Sequence, residues 1–153
     1  MPLALVPMSA ADYLAWWDII VPEFAADKVV NGSWTPAESL QRSLDSMHGL
    51  LPQGQSTPGQ FLYALVLTET GLTVGYLWLG SRDGQGYLYD LYVYPEFRRR
   101  GHARQAMQAL ESEARKQGFS SIALHVFGGN QAAADLYRSV GYAVTDLNLR
   151  KAL

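Results

Sequence analysis

The chain has 153 residues, 48% of them hydrophobic and 17% charged, and a formal net charge of −2. These values fit one compact domain over residues 1–153 and exclude a disordered chain. The small negative charge gives no general attraction to nucleic acid, and the lack of cysteine excludes disulfides, a thiolate nucleophile and a cysteine-based metal site. Pro7 and Asp12 interrupt the apolar N-terminus, which has no basic flank, so we expect a cytoplasmic protein without a signal peptide or membrane partner.

The N-terminal third predicts a short strand and two helices. Residues 3–6 form an apolar run that is typical of an edge strand. Ser9 followed by Asp12 resembles a capping box, which marks the start of the first helix. Asn-Gly-Ser at residues 31–33 ends that helix, and Thr-Pro-Ala-Glu at residues 35–38 begins the second with a cap, a proline and a glutamate in their preferred places.

The middle of the chain predicts three successive strands. Residues 61–67 and 74–79 are apolar runs separated by a turn that contains Gly71, which is a hairpin pattern. A second turn at residues 82–84 leads into a strand over residues 87–94. Strands joined by such short turns pair antiparallel with their neighbours.

The C-terminal third predicts a helix, a strand, a second helix and a last strand. Residues 103–116 carry apolar side chains at helical spacing, and Gly118 ends that helix. Residues 122–126 alternate as a strand, Asn130 caps the second helix, and residues 142–149 are a final strand. The strands on either side of the first helix pair in parallel through a crossover, so the sheet is mixed.

A basic turn over residues 94–104 separates the third predicted strand of the middle region from the helix that follows. Its sequence is Tyr-Pro-Glu-Phe-Arg-Arg-Arg-Gly-His-Ala-Arg. Such a turn leaves backbone N–H groups unpaired, and the helix dipole adds positive charge, so the site favours an anion. Gly101 lets a ligand approach the backbone closely, and Ala103 is also small. We predict a pyrophosphate site here, with a solvated basic helix start as the alternative; the dinucleotide-binding and P-loop motifs are absent.

The sequence resembles the GNAT superfamily of acetyl-CoA-dependent N-acyltransferases. Residues 91–103 are similar to that family's strand and pyrophosphate loop, with Ala103 in place of the commoner glycine. Asn-x-x-Ala-x-x-Leu-Tyr-x-x-x-Gly-Tyr over residues 130–142 resembles its later helix motif. The order of the predicted elements is a third likeness, and it covers nearly the whole chain.

The resemblance implies a fold and an activity. The fold would be α/β (α+β), with a mixed, mostly antiparallel central sheet of roughly six to seven strands and about four flanking helices. The activity would be transfer of an acetyl group from acetyl-CoA to a primary amine by direct attack in a ternary complex, without a metal. The N-terminal third has no pattern that identifies the acceptor. Homodimers are common in the family, and no residue here distinguishes a homodimer from a monomer.

The resemblance also assigns the acetyl-CoA contacts. The pantetheine arm would lie along the strand, and one backbone N–H would bind the thioester carbonyl. Backbone N–H groups of residues 99–104 would hold the pyrophosphate, while arginine side chains add charge. Asn130 would contact the cofactor or serve only as a helix cap. The predicted cofactor-binding residues are Leu91, Tyr92, Val93, Arg98, Arg99, Arg100, Gly101, His102, Ala103, Arg104 and Asn130.

Three side chains are candidates for the chemistry. The resemblance implies that Tyr137 protonates the leaving thiolate, and its alternative role is that of a core aromatic residue. His125, whose ring titrates near neutral pH, and Asp90, acting through water, are the candidate bases, and a water chain without a dedicated base is the third option. Aromatic residues of the first helix and of the turn that follows it are candidates for an acceptor pocket or for the core. They are Tyr13, Trp16, Trp17, Phe24 and Trp34.

Two other functions fit the same sequence. A non-catalytic acyl-CoA-binding or sensor module would keep the basic turn without turnover. It would bind acetyl-CoA and release no free coenzyme A in the presence of amines. A partner-binding domain would instead use the aromatic helices as an interface, and it would not depend on Gly101.

Overall fold

Residues 2–153 are described by a computed structural model, and they form four α-helices around one five-stranded sheet. The strands are β1 (Leu3–Pro7), β2 (Gln60–Leu67), β3 (Thr73–Arg82), β4 (Gln85–Val93) and β5 (Ile122–Leu124). The helices are α1 (Ala10–Val30), α2 (Pro36–Leu50), α3 (His102–Lys116) and α4 (Gln131–Ser139). Short 3-10 turns at Gly54–Ser56 and Pro95–Phe97 precede β2 and α3.

The sheet follows the order of the chain from β1 to β5. Strands β1 to β4 pair antiparallel, and β5 pairs in parallel with β4 after the chain has crossed over through α3. This confirms the mixed, mostly antiparallel sheet and the parallel crossover. Because short turns join β2 to β3 and β3 to β4, these strands have no route to parallel pairing.

Helices cover both faces of the sheet and bury two apolar cores. On one face α3 contributes Met107 and Leu110, which pack against Leu77 and Leu79 of β3. On the other face α1 and α2 pack against the sheet, and Trp16 of α1 is fully buried there. Burying each such side chain stabilises the fold by about 1.5–3 kcal/mol, so the cores fix α1 and α3 on opposite sides of β4.

Local side-chain bonds set the helix starts that the sequence predicts. At α1 the Asp12 N–H donates to Ser9 Oγ and the Ser9 N–H donates to Asp12 Oδ2, both at 3.0 Å. At α4 the Ala133 N–H donates to Asn130 Oδ1 at 3.2 Å. Each bond satisfies a backbone donor that the first helical turn leaves unpaired, which confirms these two predicted caps.

The prediction of six to seven strands is wrong, since the described residues contain five. Residues 142–149 form no strand, and the side chains of Val144, Leu147 and Leu149 are exposed. In an extended chain Val144 and Leu147 would point to opposite faces, so this segment cannot present one apolar face to the sheet. Strand β5 also ends at Leu124, earlier than predicted, and offers only three residues for pairing.

None of the helices within residues 2–153 is both long enough and apolar enough to cross a membrane.

Candidate functional site

The site begins where β4 and β5 separate. The two strands pair only over Gly86–Leu88 of β4 and Ile122–Leu124 of β5, whereas β4 continues to Val93. Beyond Leu88 the outer edge of β4 therefore has no strand partner among the described residues. A cleft of about 1020 Å³ opens at this edge, between α1, the basic turn, the start of α3 and α4.

The backbone of β4 presents specific groups to this open edge. The Tyr94 N–H donates to Val74 O of β3 at 2.9 Å, so the backbone N–H of Tyr94 faces β3 and not the cleft. Successive residues of a strand present their N–H and C=O groups to opposite edges, so those of Leu91 and Val93 face the cleft. The Arg98 Nε–H donates to Val93 O at 2.8 Å and already covers one of these groups. The Val93 N–H and the Leu91 C=O are thus left for an extended ligand, whereas the Leu91 N–H bonds the Asp90 carboxylate.

A bulge in β4 turns Asp90 toward α1. Trp78 of β3 pairs with Asp90 and Leu79 pairs with Leu88, so Tyr89 is an extra residue in β4. The bulge places Tyr89 and Asp90 on the same face of the sheet. The Tyr89 ring stacks on Trp78 with 4.3 Å between centroids, and Asp90 lies beneath Trp16 of α1.

Asp90 is a carboxyl group with a neutral-range pKa. The Trp16 Nε1–H donates to Asp90 Oδ2 at 2.9 Å. Burial raises the pKa of Asp90 to about 7, the Trp16 N–H opposes this rise, and the charges of Glu23 and Asp27 add to it. A carboxyl group that titrates near pH 7 can accept a proton from a substrate under physiological conditions.

Tyr137 of α4 lines the same cleft as Asp90. Burial raises the pKa of the Tyr137 hydroxyl to about 12, and the nearby charge of Asp90 contributes to the rise. The hydroxyl is therefore protonated throughout the neutral range and can donate a proton or a hydrogen bond. Near pH 7 the Tyr137 hydroxyl is thus a proton donor, whereas Asp90 is partly ionised and can accept a proton, which suits opposite acid and base roles.

His125 lies just after β5 instead of within it, and it also lines the cleft. Its ring packs edge-on against Phe127 with 5.0 Å between centroids. Partial burial and the positive charges of Lys28 and Arg82 lower the pKa of His125, so the ring is neutral at pH 7. It could accept a proton, but its charged neighbours disfavour the cation that would form.

The basic turn has the backbone geometry of an anion site. Gly101 is the N-cap residue of α3 and has φ +83°. No described atom lies within 4 Å of the position that its Cβ would take. No described side chain caps the first turn of α3, so its N–H groups are open to an oxygen ligand. The Arg104 guanidinium donates to Ser139 Oγ at 2.8 Å and ties α3 to α4.

His102 adds a buried atom that lacks a partner. The side chain is 6% exposed, and Nδ1 makes no hydrogen bond to any described residue. Burial lowers the pKa of His102, as does the charge of Arg100, so the ring is neutral. A buried polar atom without a partner is unfavourable, and a ligand or water in the cleft that this residue lines would relieve it.

Comparison with known proteins identifies the family of the chain. The model of the Acetyltransferase (GNAT) family matches residues 15–142. The chain belongs to the GNAT acetyltransferase family. This membership confirms the enzyme class implied by the resemblance, with acetyl-CoA as the cosubstrate.

Two proteins of Bacillus subtilis (strain 168) are similar to the chain over its whole length. The uncharacterized N-acetyltransferase YycN is 33% identical, with 100% of both chains covered. The uncharacterized N-acetyltransferase YdgE is 30% identical, with 100% of this chain and 99% of that protein covered. The crystal structure of YycN matches with a TM-score of 0.93 over 99% of this chain and 98% of the other.

A more distant solved structure shares the GNAT fold. The PaiA N-acetyltransferase from Thermoplasma acidophilum, solved in complex with coenzyme A, is 15% identical and has a TM-score of 0.70. The match covers 97% of this chain and 94% of that one. At this identity the likeness concerns the fold.

The cleft collects most of the residues that the sequence predicts for a GNAT site. All three candidate catalytic residues line it, and so do all the predicted cofactor-binding residues except Arg100. The Arg100 guanidinium instead lies 5.8 Å from the centroid of the Phe97 ring. Of the five aromatic candidates for an acceptor pocket, only Phe24 lines the cleft. Trp16 reaches it through its bond to Asp90, and Tyr13, Trp17 and Trp34 do not line it.

The acidic side of this GNAT cleft is not predicted from the sequence. Glu23 and Asp27 lie one helical turn apart on α1 and line the cleft together with Asp90. Burial raises the pKa of Glu23, the charge of Asp27 raises it further, and Arg98 lowers it. The four-residue spacing puts both on one face of α1. It does not reveal that this face meets the cleft.

Proposed function

We propose that the chain transfers an acetyl group from acetyl-CoA to a primary amine by direct attack in a ternary complex. The charge of the cleft supports this proposal most directly. Arg99, Arg104 and the free N–H groups of α3 suit the pyrophosphate of coenzyme A. Glu23, Asp27 and Asp90 suit an ammonium group, so one cleft offers complementary surfaces to both substrates.

The residues present fit acetyl-CoA at two further points. Gly101 leaves the backbone of the turn accessible, because no described residue fills the space beside its Cα. The open edge of β4 offers the Leu91 C=O and the Val93 N–H to an amide-containing arm. Acetyl-CoA supplies the acetyl group as a thioester, and the Val93 N–H would stabilise the negative charge that develops on its carbonyl oxygen.

Asp90 and Tyr137 would carry the proton transfers. Asp90 would take a proton from the substrate ammonium, directly or through one water, and so free the nitrogen lone pair. As the nitrogen–carbon bond forms and the carbon–sulfur bond breaks, Tyr137 would donate its proton to the sulfur. The second proton that the nitrogen loses as the amide forms would return to the Tyr137 oxygen through water. His125 is the alternative base, and the cationic groups around it make it the weaker one.

Replacing Tyr137 with phenylalanine tests this proposal. We expect kcat for thiol release from acetyl-CoA, measured across a panel of primary amines, to fall about 100-fold or more, because the acid is lost. The dissociation constant for acetyl-CoA is expected to stay the same. Tyr142→Phe is the matched control, since Tyr142 has a buried hydroxyl but does not line the cleft. Unchanged turnover in Tyr137→Phe would make Tyr137 a core aromatic residue, and binding without any turnover in the wild type would favour the sensor module.

Glu23 is expected to affect the KM for the amine and not the KM for acetyl-CoA. Because Glu23 is only partly buried and solvent screens its charge, we expect Glu23→Gln to raise KM for a cationic acceptor only about 3- to 10-fold. The effect should shrink in high salt, and KM for acetyl-CoA should not change. Asp18→Asn removes an exposed carboxylate from α1 that does not line the cleft, and it is the control. Equal effects of the two variants would exclude a local role for Glu23.

A homodimer and a cytoplasmic location stay predictions of the sequence.

A further inference from the structure

We infer that Trp16 is a positioning residue, whose indole N–H holds the Asp90 carboxylate in the orientation and charge state that the reaction needs. This inference rests on the proposed function, in which Asp90 is the base. Trp16 itself does not line the cleft. It acts through Asp90, which lies 74 residues further along the chain.

The contacts of Trp16 leave its indole little freedom. The side chain is fully buried, its ring packs edge-on against Trp78 with 5.6 Å between centroids, and Tyr13 lies 5.7 Å away. An indole has one N–H and no acceptor, so when it is buried it needs a fixed partner. Asp90 Oδ2 is that partner at 2.9 Å. The rigid ring therefore fixes one carboxylate oxygen.

A comparison within the chain shows that a buried indole does not require a carboxylate. Trp78 is also buried, and its Nε1–H donates to the side-chain oxygen of Gln60 at 2.7 Å. Gln60 is neutral and lies outside the cleft. At Trp16 the partner is ionisable, lines the cleft and reaches α1 only because of the bulge at Tyr89.

The groups that face Asp90 determine what the loss of this bond would do. Burial and the carboxylates of Glu23 and Asp27 on α1 raise its pKa, whereas the N–H groups of Trp16 and Leu91 lower it. From α4, Tyr137 adds a hydroxyl that is neutral at pH 7. Removing the Trp16 donor therefore raises the pKa of Asp90, and less of the base is ionised at neutral pH.

Trp16→Phe tests this inference through the pH dependence of activity. We expect the acidic limb of kcat/KM to move up by about one pH unit, because a hydrogen bond to a charged group is lost. Activity should approach that of the wild type at high pH, with KM for acetyl-CoA unchanged. Trp78→Phe loses a buried indole N–H from the same core and should not shift the limb. A loss of activity that is equal at every pH would overturn the inference, since a purely structural role predicts it.

A direct titration of Asp90 keeps the inference separate from the proposed function. In protein labelled with ¹³C at the aspartate carboxyl carbons, Asp90→Asn identifies the Asp90 signal, and Trp16→Phe should raise its midpoint. Replacing Trp16 with benzothienylalanine, which has the shape of tryptophan without its N–H, gives a second variant if Trp16→Phe does not fold. An unchanged midpoint in a folded variant would overturn the inference. A raised midpoint in a protein that never acetylates an amine would uphold it and refute the proposed function.

Discussion

Replacing Asp90 with asparagine is expected to lower kcat about 100-fold or more, because the variant has no base at this position. The same change should make the folded protein more stable at pH 8 by on the order of 2–4 kcal/mol. Activity and stability move in opposite directions because burial raises the pKa of Asp90 to about 7, so ionising this group opposes folding.

The sign of the stability change follows from the two pKa values of Asp90. In the unfolded chain an aspartate has a pKa of about 3.9. Between that value and the folded pKa of about 7, the folded state keeps a proton that the unfolded state has lost. The stability of the wild type therefore falls as the pH rises through this window. Asparagine stays neutral, and its side-chain oxygen can still accept the Trp16 N–H.

Urea unfolding of the wild type and Asp90→Asn at pH 4, 6 and 8 measures this effect. The difference in the free energy of unfolding should be near zero at pH 4 and largest at pH 8. Asp83→Asn is the control, since Asp83 lies in the exposed turn between β3 and β4 and its removal should be neutral. A variant that is less stable than the wild type at pH 8 would contradict the stability prediction. Unchanged kcat would exclude Asp90 as the base and leave His125 or a water chain without a dedicated base.

The features that the sequence predicts well are those set by neighbours in the chain. The caps at Ser9 and Asn130 depend on residues three positions away, and both form as predicted. The basic turn depends on a strand, a helix and Gly101 between them, all of which lie within residues 85–116. Short-range patterns of this kind carry their own physical cause, so they need no knowledge of the tertiary structure.

The features that the sequence does not predict arise from contacts between distant elements. The bulge at Tyr89 depends on how β3 and β4 pair, and no local pattern marks it. The bond from Trp16 to Asp90 joins residues 74 positions apart. The expected strand over residues 142–149 does not form, and the neighbouring strand β5 offers only three residues for pairing. In each case the local structure depends on a contact with an element that is distant in the sequence.

Replacing Gly101 with glutamate is expected to weaken the binding of acetyl-CoA by about 100-fold or more, the loss of one or two strong charge-assisted contacts. Gly101 has φ +83°, and the space beside its Cα is open toward the first turn of α3. A side chain there would occupy the place proposed for the pyrophosphate. Its carboxylate would also repel the phosphates and draw on the same N–H groups. Calorimetric titration with acetyl-CoA and with coenzyme A measures the loss.

Gly118→Glu is the matched control for this substitution. Gly118 follows the other end of α3 with φ +85°, and no described atom lies within 4 Å of its Cβ position. Both variants therefore gain the same charge and the same backbone strain, which costs about 1–2 kcal/mol of stability in either place. Only Gly101→Glu should lose binding, and Gly101→Gln separates bulk from charge. Wild-type affinity in Gly101→Glu would mean that the turn is a solvated basic helix start and that the pyrophosphate lies elsewhere in the cleft.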